Sequence, residues 1–186
     1  MPTTKPALCQ LGVPYLDWIH DELIGGLWPE IDPVSTKEYR SRELLESALG
    51  RPFHSMGGQD LYPTIIDKAA ALFHSLIANH PYTNGNKRTA VVAVDAFLMG
   101  NGRSIALDND AMYKLASDTA SYRQRGITHD DSLREIVAIL TKFSIPLRVL
   151  YQVQRKNPQL ATFYRANMNL RRSVRTYPGN KLIPVD

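Results

Sequence analysis

The chain has 186 residues, a net charge of +4, 44% hydrophobic residues and a single cysteine. That length suits one domain with a core of its own, or one domain with an appendage, and is too short for a second full domain. A lone cysteine, Cys9, excludes an intramolecular disulfide and any cysteine-based metal site.

The longest apolar run, Ala90 to Met99, contains Asp95 and falls short of the ~20 residues a bilayer span needs, so no membrane association is expected. The start, MPTTKPALCQLGVPYLDW, has no apolar run behind a basic segment. It does not read as a secretion signal, and the protein is expected in the cytoplasm. Charge is unevenly spread. Residues 1–140 carry 13 Lys/Arg against 17 Asp/Glu, and residues 141–186 carry 9 against 1. The basic tail reads first as a solvated helical face, with contact to an acidic partner or to RNA as the alternative.

Helical periodicity dominates. A first helix is expected over Tyr15–Ile24, stopped by Gly25 and Gly26, and a second from about Ser41 through RELLESAL to Gly50. The stretch 51–63, RPFHSMGGQDLYP, has a proline near each end and a glycine pair, so it reads as a turn or short hairpin. The next helix is expected to take Pro63 into its first turn and to set Ile65, Ala69, Leu72, Phe73, Leu76 and Ile77 on one buried face. A further helix opens near Asn86 and runs through KRTAVVAVDAFLMG to the break at 100–102. It is apolar nearly all round, as the central helix of a bundle would be. Arg103–Leu107 reads as a short extended link. Helices over 109–124 and 129–143 follow, the latter opened by Thr128 with Asp131 three residues on. Two tail helices are punctuated by Pro146 and Pro158. The reading is all-α with one short hairpin, a main domain over 1–140 and a basic helical extension over 141–186.

The segment His80-Pro81-Tyr82-Thr83-Asn84-Gly85-Asn86-Lys87-Arg88 joins the two most apolar helices. A helix N-terminus offers unpaired N–H groups and the positive end of a dipole, so the turn from Gly85 to Arg88 is suited to a phosphate. Gly85 permits a tight backbone, Asn86 can cap and orient, and Lys87 and Arg88 add positive charge. Cations oppose the dipole at that end, which favours an anion between them over two solvated side chains. His80 could take a proton from an attacking hydroxyl near neutral pH. The other histidines, His20, His54, His74 and His129, read as structural or surface residues.

This segment resembles the signature of the Fic/Doc family in its Doc form, HxFx(D/N)(A/G)NKR, with Tyr82 in place of the aromatic Phe. The likeness extends over Ile19-His20, residues 44–49, 57–63 and 68–90, and is expected to reach about residue 140. It implies a Fic-fold helical bundle with a flap and a Doc-type toxin that uses ATP and Mg²⁺ to modify a hydroxyl of a protein. By the same resemblance His80 is the catalytic base. Asn84, Gly85, Asn86, Lys87 and Arg88 bind the nucleotide phosphates, and Phe53, Gly57, Gly58 and Asp60 belong to the target-aligning flap. Asn84 stands where many members carry an acid that helps hold Mg²⁺, so it is assigned to the metal as a neutral oxygen ligand. Val91 stands where AMP-transferring members carry a second arginine. The expected reaction is therefore transfer of the γ-phosphate of ATP to a Ser or Thr of a translation factor, with elongation factor Tu as the family precedent. AMP transfer is the alternative, and a catalytically weak binding module is a third reading. The inhibitory (S/T)xxxE(G/N) helix of self-restrained members is not found in the sequence, so a separate antitoxin is the expected partner.

Overall fold

The computed structural model describes residues 7–23, 38–156 and 161–184. Helix α1 (Val13–Trp18) opens with Pro14 in its first turn and widens into a π-helical turn, Ile19–Leu23. The expected helix over Tyr15–Ile24 is thus two pieces, and its glycine stop lies outside the described residues. Helix α2 (Arg42–Gly50) is capped by the Ser41 hydroxyl, which accepts from the Leu44 N–H. A 3₁₀ turn, Arg51–Phe53, leads into the two-stranded hairpin β2 (Ser55–Met56) and β3 (Gln59–Asp60). Its two-residue loop, Gly57-Gly58, has φ of +59° and +78°, the region that a tight hairpin turn requires and glycine alone adopts freely.

Helix α3 (Ile65–Asn79) begins after Pro63, contrary to expectation, because Thr64 and Asp67 form a reciprocal capping box that fixes Thr64 as the N-cap. Residues Lys68 to Ile77 are all buried, so α3 is enclosed on more than the single apolar face its spacing suggested. Helix α4 (Asn86–Gly100) packs along it, with Ala90, Ala93, Val94, Phe97 and Leu98 in the common core. Helices α5 (Asn109–Ala120) and α6 (His129–Phe143) start at Asp108 and Thr128 caps and pack on α3 and α4.

The fold is mostly α; the extended link read at Arg103–Leu107 holds a strand, whereas the other strands beyond the hairpin were not foreseen. Strand β4 (Arg103–Ile105) pairs with β5 (Ser144–Pro146), and β1 (Ala7–Gln10) pairs with β6 (Lys181–Pro184). Each is three or four residues long, too short for alternation to register. Helices α7 (Leu147–Lys156) and α8 (Ala161–Thr176) lie between β5 and β6. Segments on either side of residue 140 share one core. Val174 of α8 is fully buried in it, and the Arg175 guanidinium donates to the carbonyls of Gly100 and Ala7. Pro158 lies outside the described residues.

Two predictions follow from this packing. A Cβ on Gly12 would stand 2.2 Å from the Gly179 carbonyl oxygen, whereas one on Gly50 meets nothing closer than 3.8 Å. Gly12→Ala should lower stability by about 1–3 kcal/mol through forced backbone shifts. Gly50→Ala, at a helix end, should be neutral or stabilise by up to about 1 kcal/mol. Chemical denaturation of the two variants checks the contrast.

The second concerns His74, 2% exposed, whose Nε2 has no hydrogen-bond partner among the described residues. Burial first, then the neighbouring His129, Arg51 and Arg123, depress its pKa to about 4 from 6.5. The unfolded chain therefore binds the extra proton between those values, and stability present above pH 6.5 is lost as pH falls toward 4. The loss should be about 3 kcal/mol in unfolding free energy and should be absent in His74→Gln.

Candidate active site

The turn between α3 and α4 is held on both flanks. On one side the segment 38–41 straps it: the N–H groups of Arg40 and Ser41 donate to the Pro81 carbonyl, and the Thr83 N–H donates to Glu38. On the other, the Asn86 side chain makes two hydrogen bonds to one residue, accepting from the Tyr82 N–H at 2.9 Å and donating to the Tyr82 carbonyl at 2.8 Å. Beneath it, the hydroxyls of Tyr39 and Tyr82 both donate to the Asp17 carboxylate. Burial and that carboxylate push the Tyr82 hydroxyl far above its ordinary range, so it stays a donor. The His20 ring stacks on Tyr82 at 4.2 Å, with Nε2 at 3.3 Å from the Asn84 carbonyl oxygen.

This scaffold holds His80 in a left-handed conformation, φ 47° and ψ 60°, the only such non-glycine residue among those described. The conformation costs about 1–3 kcal/mol and persists only where the surroundings over-determine it. It leaves the His80 side chain exposed at the mouth of a cavity of about 230 Å³ lined by His80, Thr83, Asn84, Gly85, Asn86, Lys87, Arg88 and Tyr113. No carboxylate is among these lining residues. Gly85 is the N-cap of α4, with φ of +72°, and no side chain caps the helix start. Arg88 is 2% exposed, and the Lys87 ammonium sits 5.3 Å from the centre of the Tyr113 ring. Two cations and an uncapped helix N-terminus therefore converge on one small space. Partial burial first, and then the charges of Arg40 and Lys87, hold the His80 imidazole below its ordinary pKa of 6.5. At neutral pH it is unprotonated and can accept a proton.

The structure brings together the six residues expected from the motif, His80, Asn84, Gly85, Asn86, Lys87 and Arg88, around this cavity. The Asn86 amide is engaged in the loop, so its side chain positions the site. None of the flap residues lines the cavity. Phe53 and Asp60 secure the base of the hairpin: the buried Lys68 ammonium donates to Asp60 at 2.7 Å and to the Pro52 carbonyl, and lies 5.4 Å from the Phe53 ring centre. Gly57 and Gly58 form the exposed tip. Sequence reasoning missed Tyr113, Arg40 and Lys68, and the contacts of Asp17 and Tyr39 with the motif's Tyr82; apart from Tyr82 itself, these residues lie outside the motif. His20, read as structural, does lie under the loop. Among the described residues no group of three or more His, Cys, Asp or Glu side chains is placed to hold a metal ion. No helix among them is long and apolar enough to cross a membrane.

The His80 titration is directly measurable. Its imidazole should titrate by NMR below 6.5, and Arg40→Gln and Lys87→Gln should each move it back up, since both charges depress it. A midpoint insensitive to both substitutions would count against the charge contribution.

Residues 10–98 match the model of the Fic/DOC family. The chain is also similar to "Toxin Doc" of Mycolicibacterium smegmatis (strain ATCC 700084 / mc(2)155), 48% identical over 71 residues, which cover 38% of this chain and 55% of that protein. The match thus spans little more than half the length of the relative. No solved structure gives a significant match.

Proposed function

We propose, from the match of residues 10–98 to the Fic/DOC family model, that the protein is a Doc-type toxin that transfers the γ-phosphate of ATP to a Ser or Thr hydroxyl of a protein. The observation that carries this reading is the cavity in which an unprotonated His80 stands beside Lys87, Arg88 and the uncapped start of α4. A polyphosphate suits that donor set, which is cationic and contains no lining carboxylate. The Arg88 guanidinium and the first-turn N–H groups hold phosphate oxygens, and Lys87 neutralises charge at the rim. His80 accepts the proton of the acceptor hydroxyl as its oxygen bonds to the terminal phosphorus. The bond from that phosphorus to the bridging oxygen breaks, and ADP leaves. Positioning and charge neutralisation supply most of the rate. Mg²⁺, with the phosphates as its main ligands and Asn84 as a neutral oxygen beside them, would balance charge during transfer.

Two features favour the γ-phosphate over AMP transfer. Lys87 places an ammonium and its methylene stem at the cavity wall, where a glycine would leave the backbone bare to a diphosphate. Val91, one turn further along α4, is 5% exposed and part of the apolar core, so it offers no second cation. The acceptor proposed is a translation factor, elongation factor Tu by family precedent, and the partner proposed is a separate antitoxin. The cytoplasm is the compartment this reading requires.

The test is transfer of label. Incubated with a cell lysate and Mg²⁺, the protein should pass label from γ-labelled ATP to a protein band and none from α-labelled ATP. His80→Ala should abolish transfer, by ~10²-fold or more, with its helical signal unchanged. Label from the α-phosphate would replace the kinase reading with AMP transfer and leave His80 in place. Activity retained in His80→Ala would remove it from the mechanism.

A further inference from the structure

A second cavity, of about 440 Å³, opens on another part of the molecule, where the turn after α4 meets β5, α7 and α8. It shares no lining residue with the first cavity. Arg103 comes from β4, Arg148 from the first turn of α7 and Arg171 from α8. The fold forces this convergence. Arg103 stands opposite Pro146 in the β4–β5 pair, the Leu147 N–H donates to the Gly102 carbonyl at 2.9 Å, and Gly102 itself takes φ of +83° at the turn. A Cβ on Gly102 would lie 3.8 Å from the Arg171 Nη2, so that guanidinium sits against the turn.

Three guanidinium-bearing side chains thus line one cavity, and no Asp or Glu is among the described residues that line it. Arg103 is partly committed, donating from Nε to the Ser144 hydroxyl and from Nη2 to the Ser144 carbonyl, which fixes its plane. The Arg171 Nε is buried and has no hydrogen-bond partner among the described residues. An unsatisfied buried donor on a charged group is unfavourable, and three like charges on one wall add repulsion. Both costs are relieved by an anion. Arginine forks match phosphate oxygens in particular. Beside Gly102 and Asn101, whose amide is engaged with the backbone of Cys9 and Phe97, the rest of the lining comes from Ile65, Pro146, Leu147 and Tyr151, apolar or aromatic groups that suit the body of a small organic molecule.

We propose that this cavity is a second ligand site, which takes a small phosphate ester with a flat or apolar body, of the size of a nucleoside monophosphate, held by Arg148 and Arg171 beside the pre-set Arg103. The volume falls within the ~300–1,000 Å³ usual for small-molecule sites. An acidic protein segment and an RNA chain are the competing occupants, and the volume of the cavity, within the range of small-molecule sites, favours the small molecule over both.

Calorimetric titration of the intact protein with AMP tests this, alongside Arg148→Gln, Arg171→Gln and Lys87→Gln. Expected is a class of binding weakened at least about tenfold by each arginine substitution and left unchanged by Lys87→Gln, with adenosine not bound. Its affinity should fall with salt with the shallow slope of one or two phosphate charges. Arg148 is exposed on α7, so Arg148→Gln should fold and decides the matter by itself if Arg171→Gln does not. AMP binding that vanishes in Lys87→Gln and is untouched by Arg148→Gln would overturn the proposal. So would binding of an oligoribonucleotide, through these arginines, with a slope of about four charges or more while AMP fails to bind.

Discussion

The double hydrogen bond between the Asn86 amide and the backbone of Tyr82 is the constraint on which the site depends. An Asn near a helix start commonly caps it, placing its oxygen over the first N–H groups. Here that oxygen reaches back into the loop, and the N-cap position falls to Gly85, which has no side chain to offer. The start of α4 is therefore left open. The same bond draws Tyr82 under the loop, where its ring meets His20 and its hydroxyl meets Asp17. With Pro81 strapped by residues 40 and 41, the chain between His80 and Asn86 has little freedom left. The left-handed backbone of His80 is the strain that this closure sustains.

Electrostatics point the same way as geometry. Lys87 and Arg88 stand at the positive end of a helix dipole, and Arg88 is almost wholly buried, an arrangement that favours negative charge between them. Partial burial and nearby cations also disfavour the imidazolium form of His80. The fold thus prepares an anion site and an unprotonated base within one loop. Their juxtaposition is what the proposed reaction uses, in which a proton leaves as an anion is held.

Much of this was legible in the sequence because the motif is local. Nine consecutive residues carry the base, the glycine hinge and the cations, and the long apolar helices on either side announce themselves by period. Caps at Ser41 and Thr128 were equally readable, whereas Pro63 misled because a proline early in a helix pattern suits either N1 or the position before the cap. Contacts between distant segments left no sequence signal. Tyr39 and Asp17 support the loop across 65 residues or fewer of chain separation, but nothing in their neighbours marks them as partners of Tyr82. Lys68 lies amid a buried helical face where a lysine is unexpected, and only the hairpin folding over it supplies Asp60 as its partner. The motif thus pointed to the groups proposed for the chemistry and not to what holds them.

The basic C-terminal segment shows the same limit in another form. Composition marked residues 141–186 as distinct, and charge alone suggested a solvated face. Yet Val174 contributes to the central core, β6 closes against β1, and Arg175 ties α8 to carbonyls at residues 7 and 100. Arginines here do at least two kinds of work. Arg175 is spent on backbone oxygens within the fold, whereas Arg148 and Arg171 face a cavity with no carboxylate among its lining residues. A charge count cannot separate a structural arginine from a ligand-facing one, because the difference lies in the acceptors that the fold brings within reach.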